Sequence, residues 1–164
     1  MDAAPLIVDI DRLARQGEQF VGEIPAEVLE LGSATNLFEP QGNIHYDLFI
    51  QLIDAELLVQ GTIRQRFRCT CVRCTDRFEW EGVDPAIMFA LQPAENPFVD
   101  LTPELRESII LTLPNHPLCR KECLGLCAEC GADLNRGPCG CKPPSDNRWG
   151  ALDGLAINQP TDEG

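Results

Sequence analysis

The run Leu57-Leu-Val-Gln-Gly-Thr-Ile-Arg-Gln-Arg-Phe-Arg-Cys-Thr-Cys-Val-Arg-Cys74 decides how the rest of this chain is read. Side chains alternate across a strand, so Leu57, Val59, Ile63 and Phe67 share one face and Arg64, Arg66 and Arg68 the other. Cys69 continues the apolar parity and is expected to point inward with Phe67. The strand then runs into Cys71-x2-Cys74, a spacing that delivers two sulfurs from one tight turn. Upstream, Ile44, Tyr46, Leu48, Ile50 and Leu52 share one face of a preceding strand, joined through a tight connection at Asp54-Ala55. Downstream, Phe78 and Trp80 alternate with Arg77, Glu79 and Glu81 in a returning strand, and Ile87-Met-Phe-Ala-Leu91 reads as another.

Working outward, Leu6-Ile7-Val8 reads as a short strand and Asp11 to Gln16 as a helical turn. Pro25 to Leu31 reads as a short helix with Pro25 at its first position. Gly32 to Gly42 and residues 92–100 read as loops. Thr102 is expected to cap a helix over 103–113, with Pro103 at its first position and Leu105, Ile109, Ile110 and Leu113 as its apolar stripe. Pro114 and Pro117 end it. The fold expected is α+β: an antiparallel sheet, barrel-like if its edges meet, with one packed helix and a C-terminal Cys-rich zinc-binding segment. Residues 1–117 form the β-rich domain. Residues 118–142, too poor in hydrophobics to fold without a cross-link, attach to the sheet. Residues 143–164 read as a mostly flexible tail, in which Trp149, Leu152 and Leu155 could make one docking turn.

At 164 residues and 44% hydrophobic, the chain is sized for one domain with one real core. No apolar run approaches the ~20 residues that span a bilayer, so no integral membrane role is expected. The acidic start, Met1 to Asp9, is expected to be neither a secretory signal nor a transit peptide. Nine cysteines is an odd count. Without an export signal, it argues against a disulfide framework and for metal or redox chemistry in a reducing, cytoplasmic setting. A formal charge of −13 excludes coating nucleic acid by bulk electrostatics, because such binding needs cations that displace counterions. The two segments that are not acidic hold the cysteines: residues 64–80 carry 5 basic and 2 acidic residues, residues 119–142 carry 4 and 3. Those cations either offset thiolate charge or form a partner-binding patch, Arg64, Arg66, Arg68, Arg73 and Arg77 being its candidates.

The remaining cysteines follow as Cys119-x3-Cys123-x3-Cys127-x2-Cys130-x8-Cys139-x-Cys141. A tetrahedral zinc wants four soft thiolates, and nine divides as four, four and one. Cys127-Ala-Glu-Cys130-Gly131 is a knuckle whose glycine can take a positive φ, and Cys139-Gly-Cys141 closes that site. For the other site the natural complement of Cys71 and Cys74 is Cys119 and Cys123, delivered by the turn after the helix. An alternative draws Cys69 in and frees Cys74 or Cys119. His116, within three residues of Cys119, could replace a sulfur, while His45 lies on the polar parity of a strand. There is no Gly-rich phosphate loop, metalloprotease helix or nucleophile elbow. A catalytic zinc keeps an open position, and here sulfurs suffice to close both spheres, so two structural zincs and no enzyme are expected.

Three motifs in order resemble the bacterial YceD family, whose members are named as large ribosomal RNA subunit accumulation proteins. They are Cys71-Val-Arg-Cys74 after the arginine strand, Asp100 to Pro114, and Pro117 to Asn135 with Cys139-Gly-Cys141. The likeness runs from about Ile44 to Cys141, with a further Arg148-Trp149-Gly-Ala-Leu152 tail, and adds little before Ile44. It implies a role in building or stabilising the large subunit, with loss lowering 23S ribosomal RNA, and a ribosomal-protein partner; no catalytic residues carry over. The leading expectation is therefore a non-catalytic factor that binds a ribosomal protein or a precursor particle of the large subunit, with local RNA contact confined to the arginines, no membrane and no small-molecule substrate. The competing reading is a redox-sensing chaperone, in which oxidant strips zinc and unfolds the metal-held segment. A zinc-ribbon transcription regulator would need a basic recognition helix, which the sequence lacks.

Overall fold

The computed structural model describes residues 5–31, 37–93 and 96–142. The tail expected over 143–164, with its docking turn, lies outside the described residues. The chain divides into two compact units, Met1–Gly125 and Leu126–Gly164.

The first unit is built on a four-stranded antiparallel sheet of β2 (Glu18–Ile24), β3 (Phe38–Ile53), β4 (Glu56–Thr70) and β5 (Arg77–Leu91), in that spatial order. A separate pair, β1 (Ile7–Asp9) and β6 (Phe98–Asp100), runs antiparallel, and α1 (Thr102–Thr112) follows it. The sheet does not close into a barrel: β2 and β5 are edges. Four strands are too few to wrap a filled interior, which takes about eight. The apolar face is covered instead by α1, through buried Leu105 and Ile109, and by a 3-10 helix, Ala26–Leu29. Between them lies the core of Ile24, Ile44, Leu48, Ile50, Leu57, Val59, Ile63, Phe67, Cys69 and Ile87. Phe67 packs edge-on to Phe38 and, tilted, against Trp80.

The β3–β4 hairpin turns on Asp54 and Ala55, both at positive φ (46° and 72°), the backbone of a two-residue turn whose twist matches its strands. That turn fixes the register, Ile53 opposite Glu56 and Leu48 opposite Gly61, and with it the parity of every side chain on β4. Two irregularities separate this sheet from a regular ladder. On β3, residues Gln41 to His45 bulge opposite Arg64 to Arg66. There Gln65 lies fully buried, its amide donating to the Gln41 and Arg66 carbonyls and replacing ladder bonds that the bulge removes. On β5, Pro85 and Ala86 bulge opposite Thr62, so Arg77 to Leu91 is one bent strand rather than the two read from sequence. A bulge is where a sheet tolerates proline, which has no N–H for the ladder.

Other differences have similarly local causes. Residues 11–16 make turns rather than a helix, because hydrogen bonds reach only three residues back (Arg12 to Asp9, Leu13 to Ile10). Pro25 precedes the 3-10 helix in an extended conformation rather than opening it. Strand β3 begins at Phe38, inside the stretch read as loop, and β6 occupies the end of the 92–100 stretch. Leu101, not Thr102, stands at the N-cap of α1 and makes no side-chain cap; the preceding Asp100 carboxylate accepts the Thr102 N–H, while the Thr102 hydroxyl accepts the Leu6 N–H and ties the start of β1 to the helix start. Among the described residues no helix is long and apolar enough to cross a membrane.

At Gly61 the β3 backbone leaves no room for a side chain. The φ of Gly61 is +155°, and a Cβ there would stand 2.1 Å from the Asp47 carbonyl oxygen. We expect Gly61→Ala to lower stability by about 2–4 kcal/mol through backbone displacement and strain. Urea denaturation measures it, and an unchanged midpoint would show that β3 and β4 can separate there freely.

Candidate metal centres

The β4–β5 connection carries Cys71 and Cys74, and the chain after α1 brings Cys119 and Cys123 to them. The connection is a tight loop: the Cys71 N–H donates to Asp76 O and the Thr75 N–H to Cys71 O, with Thr75 at φ 62°. Two bonds hold the incoming segment against it: the Val72 N–H donates to Pro117 O at 3.0 Å and the Arg73 guanidinium donates to Cys123 O at 2.9 Å, while within the segment the Cys123 N–H donates to Arg120 O. The four sulfurs all lie within 4.8 Å of one another, with Cys71 to Cys123 at 3.8 Å and Cys74 to Cys119 at 3.6 Å. Sulfurs arranged tetrahedrally at about 2.3 Å from a zinc stand roughly 3.8 Å apart, close to the two distances of 3.8 and 3.6 Å seen here, so this donor set could hold a metal ion of that kind. Cys71, Cys74 and Cys123 are buried, packed with Phe78 and Leu118.

The second unit assembles Cys127, Cys130, Cys139 and Cys141, again within 4.8 Å. The Cys127–Cys130 knuckle closes with the Gly131 N–H on Cys127 O and the Cys127 N–H on Ala132 O; Gly131 sits at φ 71°, where a side chain would be strained. A 3-10 helix, Leu134–Arg136, crosses to the other pair, capped by Asp133, whose carboxylate accepts the Asn135 N–H. None of the nine cysteines is in a disulfide. Cys69 faces the core and belongs to neither group, and His116 does not contribute to either.

Without a cation, the thiols of each group cannot ionise together. Burial pushes Cys71 up, but the N–H groups of Cys119, Cys74 and Arg73, together with the Cys74 thiol, bring it down to about 6. The Asp76 N–H pulls Cys74 down, yet burial and the thiols of Cys71, Cys123 and Cys119 push it up to about 12. Burial is the largest cause raising Cys119. In the second group the N–H groups of Cys130 and Glu129 draw Cys127 down to about 7, while the sulfurs of Cys130 and Cys139 push Cys141 up to about 12. One thiolate per group forms easily and the next is opposed by it, the condition that a bound divalent cation relieves. Each group could therefore hold a metal ion.

Arg64, Arg66 and Arg68 stand exposed in one row on the sheet face away from the core. Their cross-strand neighbours are His45, Gln41 and Glu39 on one side and Val83, Glu81 and Glu79 on the other. Arg66 approaches Glu81 at 3.9 Å and Arg68 approaches Glu39 at 3.8 Å, while His45 pairs with Glu23 at 3.1 Å. Such exposed pairs are worth little in stability, but they place carboxylates beside Arg66 and Arg68, whereas Arg64 stands between His45 and Val83. A cleft of about 430 Å³ on this face is lined by both signs of charge, including Glu23, Asp47, Arg64, Arg66 and Glu81. Arg73 braces the cysteine-bearing loops rather than joining the row, and Arg77 opens β5 opposite Thr70. Gln65, central to the geometry of β4, went unread, although its place on the apolar parity between Ile63 and Phe67 signalled a buried amide.

Residues 89–156 match the family model described as large ribosomal RNA subunit accumulation protein YceD. An uncharacterized protein of Mycobacterium leprae is 30% identical, the alignment covering 80% of this chain and 68% of the relative. An uncharacterized protein of Mycobacterium tuberculosis is 29% identical over 92% of this chain and 81% of its own. A maize protein named large ribosomal RNA subunit accumulation protein YCED homolog 1, chloroplastic, is 27% identical over 92% of this chain and 53% of its own length. No solved structure matches the chain.

Cation binding at neutral pH must displace protons held by Cys74, Cys119 and Cys141, so affinity should rise with pH. Acidification makes protons compete with the cation for every sulfur, so affinity should fall steadily as pH drops and the ion should be lost in acid. Titration with Co2+ at successively lower pH should give tetrahedral thiolate absorption that fades on the acid side. Occupancy that ignores pH, or an octahedral spectrum, would exclude thiolate ligation.

Proposed function

The chain belongs to the YceD family, and from that premise we propose that it is a non-catalytic factor supporting accumulation of large-subunit (23S) ribosomal RNA by binding a ribosomal protein or precursor particle. The carrying observation is that the family match spans α1, Cys119, Cys123 and the whole second quartet, so the cysteine-rich segment is part of what the family shares. Both quartets are assigned structural zinc. Four sulfurs fill a tetrahedral sphere, leaving no position for a substrate, and the closed spheres support scaffolding rather than catalysis. Preserved thiols point to a reducing compartment, the cytoplasm.

Charge favours a basic protein as the direct partner. Two tetrathiolate zincs would take the formal total from −13 to about −17, a body that bare RNA repels. Where cations are exposed in a row, Glu23, Glu39, Asp47, Glu79 and Glu81 share the same face, so the sheet offers phosphate no continuous positive strip. RNA contact is assigned to Arg64, Arg66, Arg68, Arg73 and Arg77 in a minor share, and the acidic surface holds a basic ribosomal protein before it meets RNA. The exposure of Cys130 and Cys141 is what favours the second reading, a thiol and zinc redox-sensing chaperone.

Depletion of the protein should lower large-subunit relative to small-subunit ribosomal RNA, and pull-down should capture a basic large-subunit protein through contacts that weaken as salt rises. An unchanged RNA ratio would end the assembly reading. Replacing Arg64, Arg66 and Arg68 by Glu should reduce co-sedimentation with precursor particles; full retention would remove the arginine row from binding.

A further inference from the structure

The two quartets have the same ligands and opposite surroundings. In the first, Cys71, Cys74 and Cys123 are 1%, 3% and 2% exposed and sit under Phe78 and Leu118. The loops that carry them continue into β4 and β5, whose register is fixed along the whole hairpin. In the second, Cys130 and Cys141 are exposed and Cys127 and Cys139 only half-buried. No residue from 126 to 142 is buried. The order of that segment rests on the Cys127 knuckle, one bridge between Leu126 and Asp133, and the bonds around Asp133, all near the surface. Without buried apolar area nothing offsets the conformational entropy of ordering it, about 1–2 kcal/mol per residue for backbone alone.

We propose that the quartets are unequal: Cys71, Cys74, Cys119 and Cys123 hold a resident ion, whereas Cys127, Cys130, Cys139 and Cys141 form an exchangeable site whose occupancy folds and unfolds residues 126–142. This rests on the metal reading above. The ligand class is a thiophilic d10 cation, zinc or its surrogate cadmium, since four thiolates discriminate against hard ions. Ligand exchange needs an incoming donor to reach the metal. Exposed Cys130 and Cys141 admit one, whereas at the first site Cys119 alone is partly exposed and Cys71, Cys74 and Cys123 lie closed off among packed side chains. Loss of the second ion leaves a short acidic-to-neutral loop, not a collapsed core, so the remainder of the chain keeps its structure. The proposal makes the second quartet a metal-gated order–disorder element: the surface of residues 126–142 is presented to a partner only when zinc is plentiful.

The test uses the full zinc-loaded chain, with EDTA as the competing ligand, release followed by a zinc indicator and order followed by hydrogen exchange and mass spectrometry. Two ions should be counted at the start. One should leave at least about tenfold faster than the other, with loss of protection confined to residues 126–142 while β3, β4 and β5 stay protected. Cys130→Ser/Cys141→Ser should bind a single ion, lack the fast phase and keep the sheet protected. Release of both ions at one rate, earlier release from the first quartet, or unfolding of the sheet with the fast phase would overturn the inequality. A preparation that binds no ion at all would instead remove the metal reading on which it stands.

Discussion

Four thiols gathered within a few ångströms repel further ionisation unless a cation joins them, and that electrostatic requirement governs both halves of this molecule. In the first half the surroundings are already paid for by a hydrophobic core: α1 and the 3-10 helix cover the sheet, and the sulfurs occupy the end of a hairpin that is ordered along its length. A cation held there would complete a structure that packing has mostly specified. In the second half the same chemistry has little beneath it, so the sulfurs and a few turn hydrogen bonds carry the conformation. On the reading proposed here, identical ligand sets would contribute differently to folding, with burial rather than ligand identity making the difference.

The parts legible in the sequence are those where a period of two or a short spacing speaks directly. The alternation through β4 gives the buried row from Leu57 to Cys69 and the exposed arginines, and the alternation from Ile44 to Leu52 gives the inner face of β3. The Asp54-Ala55 connection is where the chain turns, although Ala55 lacks the freedom that glycine has at positive φ. The illegible parts are those where tertiary contact overrides local preference. Strand β2 is only weakly patterned, with Val21 exposed on its outer side, and is a strand because β3 offers its edge. Pro85 reads as a break until a bulge accommodates it. Gln65 lies on the apolar parity of β4, but the carbonyls that satisfy its amide come from the β3 bulge and from its own strand, which the local pattern does not show.

For the candidate site, spacing along the chain is informative about pairs of cysteines and silent about which pairs meet. Cys71 and Cys74 come from one turn, but their meeting with Cys119 and Cys123 depends on α1 returning the chain across the sheet. The arginines illustrate the converse. Their row is visible in sequence, whereas the carboxylates beside them come from β3 and β5 and enter only through register. A row that looks like a phosphate contact in one dimension becomes a mixed-charge face in three.

The distance in sequence between the two halves of the first quartet has a consequence for biosynthesis. Cys74 and Cys119 are 45 residues apart, and Cys71 and Cys123 are 52 apart. At translation speeds of about 5–20 residues per second, the first pair of thiols is made several seconds before its partners. During that interval a nascent chain carries Cys69, Cys71 and Cys74 close together with an incomplete coordination sphere, open to copper, to glutathione or to one another. Metallation of the first quartet would thus be a race set by elongation rate, and a pause between codons 75 and 118 would lengthen the exposure.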